Sequence, residues 1–209
     1  MKYSDLPLHW KRIFELEWIS LCEGSKAIAA VITDEDGNII SEGRNQISEC
    51  NIPNPATAHA EAEAVRNLNV TRYPFKKSYT LHAGLEPCIM CMGTLVMGGI
   101  RKVEIAARDD FGGAMGLIEQ FPFSRNKGIQ IKWLDNELGD MQRAFQTIRE
   151  LLYNTDTDKL SRMLTDFSFY NKRGVDAAKT MVADSWFKDK KPACYNAEEI
   201  FDELIKRME

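Results

Sequence analysis

The sequence predicts an α/β fold: a five-stranded mixed sheet with helices on both faces, followed by a C-terminal helical extension. A hairpin is predicted first, because an apolar run at residues 27–33 and an apolar restart at 39–40 flank a turn rich in Asp and Gly. Short apolar runs then alternate with helical patterns as far as residue 134, which is typical of parallel strands joined by helices. A hairpin pairs its strands antiparallel, so the two patterns together predict a mixed sheet.

The spacing of apolar residues predicts the individual elements. Apolar side chains recur at helical spacing in the helices, and short apolar or β-branched runs mark the strands. Gly98 and Gly99 end the helix that carries two neighbouring cysteines, since glycine readily adopts the left-handed conformation found after helices. In chain order we predict a helix at 6–23, strands at 27–33 and from 39 to 43, a helix at 58–68, a strand at 78–83, a helix at 88–97, strands at 103–107 and 129–134, and a helix at 137–153.

The chain changes character after Tyr153. Three further helices are predicted there, at 159–171, 175–187 and 197–208. We therefore predict one domain at residues 1–153 and a helical extension at 154–209. The extension contains a group of aromatic residues that give it apolar surface. We expect it to pack on the first domain, and we hypothesise that it serves as a lid or a dimer surface.

Two short motifs point to a metal site. The first places His59 and Glu61 two positions apart, and the second places Cys88 and Cys91 three positions apart. One imidazole and two thiolates are three ligands for tetrahedral Zn²⁺, and the fourth position is left for water, as in catalytic zinc sites. Zinc lowers the pKa of such a water to about 7, which makes it a nucleophile at neutral pH. Glu61 is better suited to acid/base catalysis than to metal binding, because a half-dry site keeps the pKa of a carboxyl close to the working range.

The spacing of His59 and Glu61 also restricts the local structure. In the middle of a helix, residues two positions apart point roughly 200° away from each other, so both serve one pocket only at a helix start. Thr57 is the predicted N-cap of this helix, and Pro87 is typical of a helix start before the first cysteine. The sequence therefore predicts two helix N-termini that converge on one metal ion.

Other interpretations of the two cysteines remain open at this point. A C-x-x-C pair is also typical of redox sites and of half a structural zinc knuckle. A structural site needs a fourth protein ligand, for which the candidates are Cys22, Cys50, Cys194 and His82. We interpret His82, on the third predicted strand, as a hydrogen-bonded core histidine. The order, the spacing and the helix-start context of the two motifs favour the catalytic site.

Composition limits the class of protein further. The 209 residues are 44% hydrophobic and 28% charged, which is typical of a globular protein. The net charge of −4 gives no sign of the basic surface that nucleic-acid-binding proteins usually present. Five cysteines, of which two are assigned to the metal site, do not indicate a disulfide framework. The sequence shows no apolar signal segment or membrane span, so we expect a cytoplasmic protein with no membrane partner.

Residues 27–134 resemble the cytidine deaminase-like superfamily, in the branch that holds guanine deaminases, fungal-type cytosine deaminases and tRNA adenosine deaminases. The resemblance rests on the apolar strand at 27–32, on the strand end at 42–45, and on the two metal-site motifs. His-x-Glu followed by Pro-Cys-x-x-Cys is the signature of zinc deaminases. The motifs are specific for the superfamily and carry little information about the substrate.

The resemblance implies a three-layer α/β/α fold, zinc as the cofactor, and a homodimer, since many members are dimers. The implied zinc ligands are His59, Cys88 and Cys91. Glu61 corresponds to the residue that carries protons between water and substrate. Asn45 matches the family's Asn that hydrogen-bonds the base, and the backbone N–H of Ala60 matches the one that touches the substrate.

We therefore predict a zinc-dependent hydrolase that removes the exocyclic amine of a small-molecule purine or pyrimidine base or nucleoside and releases ammonia. The alternative is a tRNA adenosine-to-inosine deaminase, because Arg108, Asp109 and the glycine-rich loop up to Gly116 resemble that branch. The acidic chain, the divergent loop at 51–56 and the neutral extension do not favour tRNA, since RNA binding depends on neutralising phosphates. A second alternative is a non-catalytic, zinc-stabilised binding module.

Overall fold

The computed structural model describes residues 1–134 and 137–209. The strands in these residues are β1 (Ala29–Thr33), β2 (Ile39–Arg44), β3 (Thr80–Leu85), β4 (Lys102–Ala107) and β5 (Gln130–Trp133). They form one five-stranded sheet in the order β2-β1-β3-β4-β5. β1 pairs antiparallel with β2 and β3, whereas β3 pairs parallel with β4 and β4 with β5. The predicted mixed sheet is confirmed.

Helices precede, separate and follow the strands. They are α1 (Leu8–Cys22), α2 (Ala60–Asn67), α3 (Ile89–Gly98), α4 (Pro122–Arg125), α5 (Glu137–Tyr153), α6 (Thr157–Ala183) and α7 (Ala197–Met208). α3 ends where it was predicted to end, because Gly99 takes the left-handed conformation with φ 89°. None of the helices in the described residues is both long enough and apolar enough to cross a membrane.

The two faces of the sheet carry different helices. Leu81, Ala83 and Ile105 pack with the apolar residues of α2 and α3. Val31 and Ala106 point to the other face and pack with α1 and α5. Side chains alternate between the faces along each strand, so the sheet has an apolar layer on both sides. The three-layer α/β/α fold is confirmed.

The C-terminal helical region completes the core on the α1 and α5 face. Phe201 of α7 is fully buried, and its ring centroid lies 5.1 Å from that of Phe14 in α1. Trp18 donates a hydrogen bond from Nε1 to the carbonyl oxygen of Tyr195, 2.8 Å away. Residues 154–209 therefore share a core with the helices before them, and their separation from residues 1–153 as a distinct domain stays a prediction.

α6 consists of two helical segments joined by a kink, at the place where the sequence predicted a break between helices at 159–171 and 175–187. The kink lies at Asn171, whose φ of −126° and ψ of 45° are not helical. Gly174 follows within one turn, and a Cβ there would collide with the carbonyl oxygen of Asp140 in α5. The chain therefore bends at Asn171 and stays against α5 on both sides of the bend. The predicted break between two helices lies at this kink, and the second helical segment ends at Ala183 instead of at 187.

Candidate active site

Two helices begin side by side at one end of the sheet. β3 ends at Leu85 and leads through Glu86 and Pro87 to Cys88, which is the N-cap of α3. His59 is the N-cap of α2. Its Nδ1 atom lies 3.5 Å from Cys88 Sγ. The predicted convergence of two helix N-termini on one point is therefore confirmed.

The start of α2 differs from the prediction in one detail. Thr57, the predicted N-cap, lies in the 3-10 helix Pro55–Thr57, and its hydroxyl donates a hydrogen bond to the carbonyl oxygen of Asn54. This turn ends at Ala58, so α2 starts two residues later than the motif suggested. His59 itself occupies the entrance of the helix, where its imidazole faces the start of α3 rather than the side of α2.

The spacing of the three predicted ligands fits a zinc ion. His59 Nδ1 or Nε2, Cys88 Sγ and Cys91 Sγ all lie within 4.8 Å of one another. Zn–N bonds of 2.0–2.1 Å and Zn–S bonds of about 2.3 Å place tetrahedral ligand atoms roughly 3.5 to 3.8 Å apart. Among the described residues, no fourth Cys, His, Asp or Glu joins this group. The donor set is that of a site with an open coordination position, which does not support the structural zinc knuckle.

Hydrogen bonds within the group favour a thiolate at Cys88 and keep protons on Cys91 and His59. The pKa of Cys88 is lowered to about 3, mainly by a hydrogen bond from the Cys91 thiol and further by one from His59. The pKa of Cys91 is raised by the same bond and by burial. The hydrogen bond to Cys88 raises the pKa of His59. The metal-free group therefore shares protons around a thiolate, and a metal ion would take the place of those protons.

Glu61 lies directly beside the ligand group. It is in the first turn of α2 and only 4% exposed. Its Oε2 atom lies 3.1 Å from Cys91 Sγ, which donates its one proton either to this oxygen or to Cys88. Burial raises the pKa of this carboxyl above its ordinary value. A buried carboxyl with a raised pKa at the edge of a metal group is suited to accept and return a proton.

Asn45 follows β2 and is 1% exposed. Its backbone is fixed from two sides, because its N–H donates to the Ile28 carbonyl at 2.9 Å and its carbonyl accepts from Ser20 Oγ at 2.8 Å. The next residue, Gln46, donates its N–H to the carbonyl of Ala58, one position before the metal-site histidine. Within the described residues, the Nδ2 group of Asn45 has no hydrogen-bond partner, so it keeps two donors for a ligand.

Ala60 is the first residue of α2 and is fully buried. Its backbone N–H therefore has no acceptor within the helix. β2 runs close to this point, because a Cβ at Gly43 would collide with the carbonyl oxygen of Ala60. The structure thus places the predicted substrate contact at the helix entrance, beside His59.

Comparison with known proteins agrees with this site. The family model described as the cytidine and deoxycytidylate deaminase zinc-binding region matches residues 11–107. A tRNA-specific adenosine deaminase of Aquifex aeolicus is 35% identical over 59% of this chain and 75% of its own length. The chain belongs to the cytidine deaminase-like superfamily.

Further curated relatives and one solved structure are also similar to this chain. Guanine deaminase of Bacillus subtilis is 33% identical over 48% of this chain and 65% of its own length. Two further curated relatives are matched over about half of their own length, 53% and 47%. A solved structure of guanine deaminase from Nitrosomonas europaea has the same fold, with a TM-score of 0.56 and 19% identity over 68% of this chain and 83% of that chain.

Zinc is the metal of this superfamily, and the donor set of this chain fits it. The structure brings together His59, Glu61, Cys88 and Cys91. Ala60 lies between two of them in the chain, and the backbone of Gln46, next to Asn45, hydrogen-bonds to Ala58, just before His59. The remaining cysteines and His82 lie outside the ligand group, so none of them supplies a fourth ligand among the described residues.

Glu86, which precedes the cysteine motif, holds a loop at the site although the sequence motifs did not indicate such a role. Its carboxylate accepts hydrogen bonds from the backbone N–H groups of Asp109 at 3.1 Å and Met115 at 3.2 Å. These bonds tie the glycine-rich loop after β4 to the segment that leads into Cys88. Burial raises the pKa of Glu86. The only signal in the sequence is its place before Pro87, which does not reveal a distant backbone partner.

Proposed function

We propose that this chain is a zinc-dependent hydrolase that removes the exocyclic amine from a purine or pyrimidine base or nucleoside and releases ammonia. One observation carries the proposal: a buried carboxyl, Glu61, lies against a three-ligand metal group at 3.1 Å from Cys91 Sγ. His59, Cys88 and Cys91 would hold the ion. Zinc there supplies a Lewis acid that makes water nucleophilic at neutral pH. The relatives named as guanine and tRNA adenosine deaminases support the same reaction class.

Glu61 moves the protons in this scheme. It accepts a proton from the attacking water as the C–O bond forms, and it delivers that proton to the adjacent ring nitrogen. The second water proton then passes through the same carboxyl to the amine, which leaves as ammonia while the carbonyl of the product forms. Burial suits this exchange, because it brings the pKa of the carboxyl nearer to that of the groups it serves.

Asn45 and Ala60 hold the base in place. The Nδ2 group of Asn45 donates to a carbonyl oxygen or ring nitrogen of the base, and the Ala60 N–H donates to a second acceptor on the base. The backbone of Asn45 is fixed by two hydrogen bonds and Ala60 lies at a helix start, so little ordering is needed to position the ring. The purine or pyrimidine must present acceptors on two edges, which matches nucleobases as a substrate class.

A substrate panel tests the proposal. Purified protein with bound zinc is incubated with guanine, cytosine, adenine and their nucleosides while ammonia release is measured. We expect release with at least one member, and removal of zinc by a chelator should abolish it. Absence of ammonia with every member, for protein whose zinc content is confirmed, would contradict a small-molecule deaminase.

tRNA adenosine deamination is the second candidate. It is supported by the similarity to the Aquifex aeolicus enzyme and by the loop from Arg108 to Gly116. Binding to a tRNA anticodon stem-loop should then weaken steeply with salt, because phosphate contacts release counterions. Lack of binding at low salt would remove this candidate, and the net charge of −4 leads us to rank it second.

A non-catalytic zinc module ranks third. It would need the open coordination position to be closed by protein, and the described ligand group has three members. A homodimer and a cytoplasmic location complete the proposal. They rest on the family resemblance and on the composition of the chain, and measurement of the molar mass in solution tests the first of them.

A further inference from the structure

A second group of metal-binding side chains lies on the face of the sheet opposite to the zinc group. His9, His82 and Glu104 each bring a ligand atom within 4.8 Å of the others. His82 lies on β3 and Glu104 on β4, where the two residues are direct neighbours in the parallel ladder. His9 is in the first turn of α1. His9, His59 and His82 are the three histidines of the chain.

The two groups are separated by the sheet. Leu81 and Ala83, which flank His82 along β3, pack toward α2 and α3. His82 therefore points toward α1, where Trp10 meets it edge to face with ring centroids 6.1 Å apart. The zinc group lies at the starts of α2 and α3. The second group thus forms no part of the candidate active site.

The hydrogen bonds of His82 fit a metal ligand as well as a core histidine. Its Nε2 atom lies 3.0 Å from Thr33 Oγ1, and its Nδ1 atom lies 3.1 Å from Glu104 Oε2. The prediction of a hydrogen-bonded core histidine is confirmed. A threonine hydroxyl both donates and accepts, so the ring can carry its proton on Nε2, donate it to Thr33, and leave the Nδ1 lone pair toward Glu104. Metal-bound histidines commonly donate their other N–H to an oxygen in this way.

Glu104 is oriented in a similar manner. Lys132 donates to its Oε1 atom at 2.8 Å, so Oε2 is the oxygen that faces His82. The 3.1 Å between Oε2 and Nδ1 is close to the roughly 3.3 Å expected for two tetrahedral ligands at 2.0–2.1 Å from one ion.

His9 supplies the third ligand. Its ring is stacked on that of His82, with centroids 4.1 Å apart and planes 28° apart. Within the described residues it makes no side-chain hydrogen bond, and it is half-buried in the first turn of a helix. The lone pairs of two stacked rings lie in nearly parallel planes and do not meet at one ion. His9 must therefore turn out of the stack to share an ion with His82. A first-turn side chain without hydrogen bonds can make that rotation at little cost.

We propose that His9, His82 and Glu104 form a second binding site for a divalent transition metal, with Thr33 and Lys132 holding the ligands in place. Two imidazoles and one carboxylate are a ligand set that Zn²⁺ uses, and water completes the coordination. The bound ion would join the first turn of α1 to β3 and β4. It would therefore stabilise the amino-terminal end of α1 and take no part in deamination.

Metal stoichiometry tests the site. The measurements use a variant with Cys50→Ser and Cys194→Ser, because these exposed thiols would also bind zinc. Equilibrium dialysis against buffered Zn²⁺ should show a second, weaker equivalent, which His9→Ala abolishes and the neighbouring exposed-residue variant Leu8→Ala retains. A single equivalent in all three proteins, or a second equivalent that survives His9→Ala, would overturn the proposal.

Cobalt substitution separates the two sites spectroscopically. Co²⁺ at the cysteine group gives intense thiolate-to-metal absorption in the near ultraviolet, whereas Co²⁺ at the second group has only nitrogen and oxygen ligands and gives weak visible bands. We expect His9→Ala to remove the weak bands and leave the intense ones. Thr33→Val keeps all three ligands and should lower the affinity of the second site by about 10- to 100-fold. Unchanged affinity in Thr33→Val, or unchanged visible bands in His9→Ala, would count against the site, whatever the enzyme's activity.

Discussion

Arg143 donates a hydrogen bond from Nη2 to the backbone carbonyl of Arg108, 2.6 Å away, which joins α5 to the loop after β4. The guanidinium is 3% exposed and lies 3.6 Å from Asp109 Oδ1. Phe167 of α6 covers it, with Cζ 4.2 Å from the ring centroid. The same loop is held by Glu86, two residues before the zinc-site cysteine. A chain of contacts thus connects the C-terminal helices to the metal site.

Replacement of this arginine should affect both stability and catalysis. Arg143→Met leaves the Arg108 carbonyl without its donor and Phe167 without its cation, so we expect a loss of about 2 to 4 kcal/mol in the free energy of unfolding. The loop also loses its hydrogen bond to α5, so kcat/KM should fall. Urea unfolding and the ammonia assay measure the two effects.

Arg149→Met is the matched control for that variant. Arg149 lies on the same helix and donates two hydrogen bonds to the Gly24 carbonyl, but it does not touch the loop. We expect a comparable loss of stability with nearly unchanged kcat/KM. If both variants lose activity in proportion to stability, the contact with Arg108 has no special role in positioning the site.

Truncation after Tyr153 should prevent folding instead of producing a more open enzyme. The deletion removes Ile200, Phe201 and Leu204, which are fully buried against α1 and α5. Each such side chain contributes about 1.5 to 3 kcal/mol, and together they approach the whole stability of a typical domain. Circular dichroism and thermal unfolding of the fragment of residues 1–153 test this. A cooperative transition at an unchanged temperature would support an independent domain and a separate lid.

The sequence allowed the metal site to be predicted because its ligands lie in two short motifs. His59, Cys88 and Cys91 need only two helix starts to meet, and local signals such as Pro87 announce a helix start. Arg143 gave no comparable signal. It lies in an amphipathic helix where charged residues usually face water, and its partners Arg108 and Phe167 are distant in sequence. Long-range polar contacts depend on packing that periodicity does not describe.

In the fold, too, features with a local sequence signal were predictable and features that depend on long-range packing were not. The sheet and the ends of α5 were predictable because apolar spacing reflects which face is buried. A break after Asn171 was predicted as well, but its cause was not, because the kink depends on the close approach of Gly174 to Asp140 in another helix. The pairing of His9 with His82 likewise arises from the packing of α1 on β3.

Glu17 should make the stability of the protein depend on pH. It is fully buried in α1, and within the described residues neither carboxyl oxygen has a hydrogen-bond partner. Burial raises its pKa well above the ordinary value. The folded state therefore keeps the proton at pH values where the unfolded chain has released it. The contribution of Glu17 to the free energy of unfolding is greatest below the pKa that this group has in the unfolded chain, about 4.3. Above that pH the contribution falls by roughly 1.4 kcal/mol per pH unit, until the pKa of the folded state is reached.

Glu17→Gln removes that dependence. The variant should be more stable than the wild type at pH 7, and the difference should vanish near pH 4. Denaturant unfolding across pH 4 to 8 measures both curves, and Glu23→Gln at the exposed end of the same helix serves as the control. Equal stabilities of wild type and Glu17→Gln at pH 7 would mean that the carboxyl finds a partner or that glutamine fits the site poorly. A Glu17→Leu variant distinguishes these two explanations. Leucine forms no hydrogen bonds, so a loss of stability that persists in this variant is steric in origin.

Glu61→Gln should separate metal binding from turnover. The amide keeps the size of the side chain and its position beside Cys91, so the zinc content should match that of the wild type. It cannot accept and return a proton, so kcat should fall by about 10²- to 10⁴-fold, the range typical of general acid/base groups. Glu63→Gln, a carboxyl on the same helix that pairs with Arg66 at the surface, is the control and should retain activity. Loss of zinc in Glu61→Gln would instead identify the carboxylate as a ligand, and full activity with zinc in place would require another residue to carry the protons.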